Sequence, residues 1–526
     1  VYRTKGAVQQ GVFKGIVDDA LRKFSPADIA NEKVRERYGI ESVKDAFIRA
    51  HCPTSVEEGL KAQERIALED TMKEILYYKI INSQAKENRV FEYRLDKRVV
   101  DDFVKSLPFP LTPTQKNALD EIFENLKSKR RMNRLLQGDV GSGKTIVALI
   151  SALYAVKCGY QVAIVAPTEI LAEQHFNNAK RFFDGFNINV AFMSGSVKGA
   201  ERKERERDIE SGRTDVVIGT HSVFSKTVKF KNLSFVVIDE HHKFGVAQKY
   251  DLQEKGAGVD TLTLTATPIP RSVLMLLYDE LQLSEIDKSH KTKVKTFLVP
   301  DYKKDGMFSY VRDEAKKGNQ AFIVCPKICD SEGVETYGAK TLFEELKNGV
   351  FSDVNVALIY GKMKAKEKSE IMQSFEAGDI DVLIATTVVE VGIDIKNATT
   401  IAVLNSERFG LATLHQLRGR VGRGDKKAFC FLHTLDAGNP RLKALTEFDE
   451  GYKLAELDFT LRGGGDYLGT RQSGEQDGGK YAIKITPDQI RFAKEIVTDG
   501  VLQEGFEIDK DDFYYYENKF KDVTVS

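Results

Sequence analysis

Residues Gly138 to Thr145 read GDVGSGKT, the spacing G-x-x-x-x-G-K-[ST]. Glycines at those places let the backbone curl until successive N–H groups converge on phosphate oxygens. Lys144 would bring a charge to the β- and γ-phosphates, and Thr145 a hydroxyl to Mg2+. The run Gly138, Asp139, Val140, Gly141, Ser142, Gly143, Lys144, Thr145 is therefore a candidate cradle for a nucleoside triphosphate. The bland alternative is a chance glycine-rich turn. The context speaks against it, because an apolar strand precedes the loop and a helical run follows it.

Asp239 and Glu240 close the run FVVIDEHH. Apolar residues followed by adjacent acids suit a buried strand whose tip meets a nucleotide. Asp239 would hold Mg2+ and Glu240 would polarise the attacking water. Taken alone, such a pair is as readily a solvated turn; the phosphate loop upstream favours chemistry. His241 and His242 are adjacent rather than four apart, so they do not read as a metal pair, and His242 is read as coupling the acidic pair to neighbouring loops. Further on, Arg418, Arg420, Arg423, Lys426 and Lys427 stand against Asp425. Phosphoryl transfer needs positive charge at the γ-phosphate, and Arg420 and Arg423 are the candidate fingers. A solvated basic loop is the alternative. By contrast, KGAERKERERDIE (198–210) interleaves bases and acids and reads as a solvated helix.

These groups need a scaffold that brings them together. From Arg134 onward β-branched runs alternate with helical stretches: RLLQG, QVAIVAPT, NVAFMSG, DVVIGTH, FVVIDE, TLTLTATP. After a Lys-rich stretch read as a linker (287–295), the alternation restarts with QAFIVCP, VNVALIYG, DIDVLIATT, TTIAVLN, KAFCFLHT. Each run predicts a parallel sheet covered by helices on both faces, and two such lobes form a cleft. Residues 1–108 read as helical, with a long helix over Ser55 to Asn88. The expected domains are 1–108, a helical lead-in; 109–290 and 291–438, the two lobes; and 439–526, a C-terminal element.

The 526 residues carry 78 Lys+Arg against 78 Asp+Glu, so no whole-molecule basic field argues for nucleic acid, although local basic grooves stay open. No apolar run approaches the ~18 residues of a membrane span, and Ile146 to Val156 reads as a buried core helix. Five cysteines, odd in number and irregularly spaced, do not suggest a disulfide framework and favour a reducing cytosol. The lone C-x-x-x-C of Cys325 and Cys329 lacks the second half of a metal site.

The ordered set of motifs resembles helicase superfamily 2 over roughly residues 109–435. Phe109-Pro110-Leu111-Thr112 with Gln115 looks like its adenine-reading element. APTEILAEQH (166–175) and GTH (219–221) look like first-lobe strand-contacting motifs, and TATPIPR (265–271) like the coupling motif. ATTVVEVGIDI (385–395) and HQLRGRVGRG (415–424) look like second-lobe motifs. Phe244-Gly245-Val246, ATPIPR, ERFGLATLHQLRGRVGRG and LRGGGDYLGTRQSG (461–474) bring the likeness closer, to the RecG family of branch-migration helicases. The last block also resembles the translocation motif of the transcription-repair coupling factors.

The resemblance implies two RecA-like P-loop lobes, with ATP and Mg2+ as cofactors. It implies ATP contacts at Phe109, Gln115, Gly392, Asp394 and Gln416, besides the phosphate loop. Coupling and translocation fall to His242, Thr265, Thr267, Arg462, Arg471 and Gln472, and DNA contacts to Thr168, Thr220, His221 and Thr386. The implied activity is ATP-dependent remodelling of stalled forks and Holliday junctions in DNA repair and recombination. Branched DNA and single-stranded DNA-binding protein are the implied partners, with no membrane, a monomeric state and a bacterial cytosolic location. The rival readings are a polymerase-linked translocase and a non-hydrolysing DNA-binding scaffold. His241, Lys243 and Tyr360 stand where the family commonly has Gln, Arg and His. The family's N-terminal wedge, an oligonucleotide-binding barrel, has no counterpart here. The missing initiator Met favours a fragment, and weak fork selectivity is the expectation that follows.

Overall fold

The computed structural model describes residues 10–23, 26–84, 90–94, 96–240, 258–266, 282–287, 294–326, 339–361, 363–386, 395, 397–422, 424, 426–462, 486–502, 505–506, 509, 511–512 and 514–516. The chain divides into two compact units. One comprises residues 1–86, 270–279 and 458–526, and the other comprises 87–269 and 280–457.

The second unit holds two parallel sheets. Strands β1 (Asn133–Gly138), β2 (Gln161–Val165), β3 (Val190–Met193), β4 (Val216–Gly219), β5 (Leu233–Asp239), β6 (Asp260–Thr265) and β7 (Gln282–Ile286) form the first, in the order β3-β4-β2-β5-β6-β1-β7. Strands β8 (Val294–Pro300), β9 (Gln320–Val324), β10 (Val356–Ile359), β11 (Val382–Ala385), β12 (Ala398–Val403) and β13 (Ala428–Thr434) form the second, in the order β10-β11-β9-β12-β13-β8. The β5-β6-β1 neighbourhood is what matters for chemistry. It places the tips of the strands that end in Asp239 and Gly138 on one edge, with only the tip of β6 between them. In parallel sheets that carboxyl edge is where ligands bind.

The two α/β runs read from the sequence are these sheets, with two additions. β7 and β8 were not anticipated, and the linker reading of 287–295 runs too far, because Val294 and Lys295 open β8. Among the described residues both are edge strands, paired on one side only, with β1 and β13 respectively. An edge strand alternates buried and exposed residues instead of running apolar, so QLSEI and VKTFLVP lack the signature of a central parallel strand. β7 is tied in by Arg134 on β1, whose guanidinium donates to Ser284 Oγ at 2.6 Å and to Glu121 at 2.8 Å.

Helices in this unit include α5 (Asp101–Ser106), α6 (Pro113–Lys127), α7 (Lys144–Lys157), α8 (Glu169–Phe183) and α9 (Gly199–Ser211) in the first lobe. The second has α10 (Lys304–Lys316), α11 (Ala339–Asn348), α12 (Ala365–Ala377), α13 (Leu411–Arg418), α14 (Pro440–Glu447) and the start of α15 (Gly451–Arg462). The apolar run after the phosphate loop is α7, buried continuously from Ile146 to Ala155. Full burial of each such aliphatic side chain is worth about 1.5–3 kcal/mol, so α7 is anchored from its second turn onward. α9, with its interleaved charges, buries only Ile209, as a solvated helix should.

The other unit is helical: α1 (Gln10–Lys23), α2 (Glu32–Tyr38), α3 (Val43–His51), α4 (Val56–Gln84) and α16 (Pro487–Leu502). α4 is the long helix predicted from Ser55. Arg65 on α4 is 6% exposed and donates to Glu69 at 2.9 Å, Asp28 at 2.8 Å and the Glu41 carbonyl at 2.8 Å. Those carboxylates also accept the Ile29 and Val43 amides, so the buried charges are satisfied and residues 28–43 are pinned to α4. The chain end docks on the same helix, where Tyr516 stacks on Tyr77 with centroids 4.9 Å apart and Lys73 pairs with Asp512 at 2.5 Å; beside it, Phe506 bridges Ala30. Within this unit the N-terminal helices and the chain end thus fold together. Among the described residues no helix is long and apolar enough to cross a membrane.

Candidate active site

The phosphate loop leaves β1 and enters α7. Gly143 sits at φ 88°, where other residues are strained, and a Cβ there would collide with Gln115 Nε2. Gly138 has no room either, since a Cβ would meet the Ile286 carbonyl at 2.8 Å. Lys144 Nζ donates to the Gly138 carbonyl at 2.6 Å and to the Asp139 carbonyl at 2.9 Å, so the ammonium lies within the loop it would share with phosphates. Desolvation pushes the Lys144 pKa down; Glu240, Asp239 and Asp139 pull it back up, and Arg420 pushes it down again. Of the other charged groups proposed for chemistry, Asp239, Glu240 and Arg420 each make their charge felt at Lys144.

Gln115 is read from the sequence as an adenine contact. It is 4% exposed at the N-terminus of α6, where it completes a capping box with Thr112. Its Oε1 accepts the Thr112 amide at 2.9 Å, while its Nε2 donates to the Ser142 carbonyl at 2.8 Å. The amide thus ties the start of α6 to the loop of residues 138–145. Phe109 is 43% exposed, its ring edge-on to Phe182, and offers a face for base stacking.

Asp239 ends β5, 8% exposed. Glu240 follows at φ 53°, a left-handed conformation that costs a non-glycine residue about 1–3 kcal/mol. Its amide is held by the Leu264 carbonyl of β6 at 3.0 Å. The strand ends at Asp239, and the backbone turns at Glu240 directly after it. Thr145 stands at the start of α7. Among the described residues no cluster of three or more His, Cys, Asp or Glu could cage a metal alone. Mg2+ needs none, since it is commonly held by one or two side-chain oxygens, water and substrate phosphates.

The second lobe reaches the loop through α13. His415 Nε2 lies 3.0 Å from Asp139 Oδ1, and Arg418 Nη2 lies 2.9 Å from His415 Nδ1. A guanidinium only donates, so Nδ1 must accept and Nε2 must carry the hydrogen given to Asp139. This fixes a neutral imidazole and its tautomer. Arg418 also donates to the Leu445, Phe448 and Asp449 carbonyls at 2.8, 2.9 and 3.0 Å, and burial lowers its pKa. A Cβ on Gly419 would lie 3.1 Å from Val140, so the loops of the two lobes touch. Arg420 and Gln416 are each 3% exposed.

Thr168 caps α8, its hydroxyl accepting the Leu171 amide at 3.4 Å. Thr220 and His221 follow β4, which pairs with β2, so these positions and Thr168 emerge on one edge. Thr220 is 7% exposed and His221 is exposed. Thr265 ends β6 and Thr386 follows β11, 3% and 5% exposed. Arg423, Gly392, Asp394, His242, Thr267, Arg471 and Gln472 lie outside the described residues. Arg462 ends α15, its side chain likewise outside them. Sequence reasoning missed His415 and Arg418 as a pair, although their i,i+3 spacing on a helix signals a shared face. It also missed His175, whose Nε2 lies 2.7 Å from Asp239 Oδ2; nothing local in the sequence points to that contact.

Residues 112–276 match the family described as DEAD/DEAH box helicase, and residues 303–425 match the helicase conserved C-terminal domain. The chain is similar to the ATP-dependent DNA helicase RecG of Thermotoga maritima, 39% identical over 481 residues, which are 90% of this chain and 62% of that protein. It is similar to RecG of Staphylococcus aureus strain Mu50, 40% identical over 520 residues, covering 96% of this chain and 75% of that one. Among solved structures it is similar to RecG bound to a three-way DNA junction, with a TM-score of 0.76, 36% identity, and coverage of 94% of this chain and 65% of that one. The chain thus spans roughly two thirds to three quarters of the length of these relatives.

Proposed function

The chain belongs to the RecG family, and on that premise we propose that it is an ATP-driven motor on double-stranded DNA that remodels branched DNA. The observation that carries this reading is the contact of the phosphate loop with α13, which sets Arg420 of one lobe near Lys144 of the other. The motor residues then have distinct tasks. Lys144 exchanges its loop carbonyls for β- and γ-phosphate oxygens. Thr145 and Asp239 would hold Mg2+, which would supply charge neutralisation to the phosphates when bound. Glu240 orients the attacking water and accepts its proton. Arg420, and by resemblance Arg423, stabilise charge that develops on the γ-phosphate.

Closure of the lobes assembles these groups, and hydrolysis and release let them part. Thr168, Thr220 and His221 of the first lobe and Thr386 of the second contact DNA; if the lobes grip differently when open and closed, each cycle advances the chain. Residues 462–474 transmit the motion. The substrates are three-way and four-way junctions, the working form is a monomer, and single-stranded DNA-binding protein is a partner. ATP turnover with and without forked duplex DNA tests the reading. Turnover should rise with DNA, whereas equal rates in both conditions would contradict it.

A further inference from the structure

His175 has no task in the chemistry above, yet it is 4% exposed and its Nε2 lies 2.7 Å from Asp239 Oδ2. A carboxylate only accepts, so the imidazole donates. The contact occupies one of the two oxygens of the carboxylate read as a metal ligand. It also joins elements distant in sequence. α8 begins at Thr168, and His175 lies about two turns along it, roughly 10 Å at ~1.5 Å rise per residue. A helix is stiff over that length, so a displacement at its capped end is felt at the imidazole.

We propose that His175 is a positioning residue for the metal-ligating carboxylate of Asp239, and that α8 carries DNA occupancy at Thr168 to that carboxylate. The proposal rests on the reading of the chain as a DNA-stimulated ATPase. Hydrogen-bond partners of metal ligands typically govern metal affinity by about 10–100-fold. DNA that reseats the N-terminus of α8 would therefore retune the ion site without touching the nucleotide.

Two variants separate the donor from the packing. His175→Leu keeps most of the volume and removes the N–H, whereas His175→Gln keeps an N–H at about the same reach. Mn2+ binding to the full chain with ADP, read by electron paramagnetic resonance, reports the ion site apart from turnover. The Mg2+ dependence of ATP turnover, with and without duplex DNA, reports the coupling. His175→Leu should weaken Mn2+ binding about tenfold or more and shrink the stimulation by DNA. His175→Gln should restore most of both, and fluorescent ADP binding in EDTA should be unchanged in either. Unaltered Mn2+ binding in His175→Leu overturns the positioning role. Unaltered DNA stimulation overturns the lever. Equal damage from both variants, with ADP binding in EDTA also lost, assigns the residue to packing and overturns the proposal. Absence of DNA stimulation in the wild type would instead defeat the functional reading and the lever with it, while the Mn2+ measurement still decides the positioning role.

Discussion

The bond between His415 and Asp139 is the sharpest point at which to cut the two lobes apart. It is a neutral N–H donating to a carboxylate at 3.0 Å, with Asp139 31% exposed at its side chain and His415 almost fully buried. A hydrogen bond to a charged group is worth about 1.5–3 kcal/mol. Partial exposure of the acceptor argues for the low end, about 1.5 kcal/mol, or roughly tenfold in an equilibrium. Arg418 holds the imidazole, so the donor is oriented before the lobes meet. If closure assembles the site, Asp139→Ala and His415→Leu should each lower kcat/KM for ATP about tenfold in the presence of DNA. The double variant should be little worse than either single one, since the same bond is lost in all three. Steady-state turnover over a full cycle of the four proteins measures the coupling. Effects that multiply, a double variant near one hundredth of wild type, would show that the two residues act independently and would refute the contact as a closing element.

Lys144→Ala should abolish ATP hydrolysis, because it removes the charge at the β/γ-phosphates; hydrolysis at the wild-type rate would defeat the site assignment. Arg471→Ala should leave DNA-stimulated turnover largely present while junction processing falls, which paired turnover and fork-conversion assays would resolve. Tyr516→Ala should destabilise the helical unit by about 3 kcal/mol through loss of a buried ring stacked on Tyr77, seen as an earlier urea transition for that unit. Arg65→Met should cost about 3 kcal/mol in the same measurement, because Glu69 would stay buried without its cation while Asp28 would keep only its longer pair with Arg35.

The sequence was most legible where chemistry and local geometry coincide. GDVGSGKT names its own backbone shape, and the central strands β2, β4 and β5 are buried throughout and mostly apolar because both faces are covered. The edge strands β7 and β8 escaped because each has one neighbour and a mixed pattern. Residue pairs that meet only through topology escaped as well. His175 reaches Asp239 because α8 follows β2, the neighbour of β5 in the sheet. His415 reaches Asp139 only once two separate sheets are in place. The tail was illegible for a third reason: Tyr516 stacks on Tyr77 of α4 and Phe506 bridges Ala30, both far away in the chain, and composition carries no signal of such pairing.

A motor driven along duplex DNA by ATP should displace a triplex-forming strand from that duplex. Displacement should occur with ATP, not with ADP, and with neither nucleotide in Lys144→Ala. Displacement that proceeds equally without hydrolysis, or ATP turnover that never displaces the third strand, would contradict such a motor.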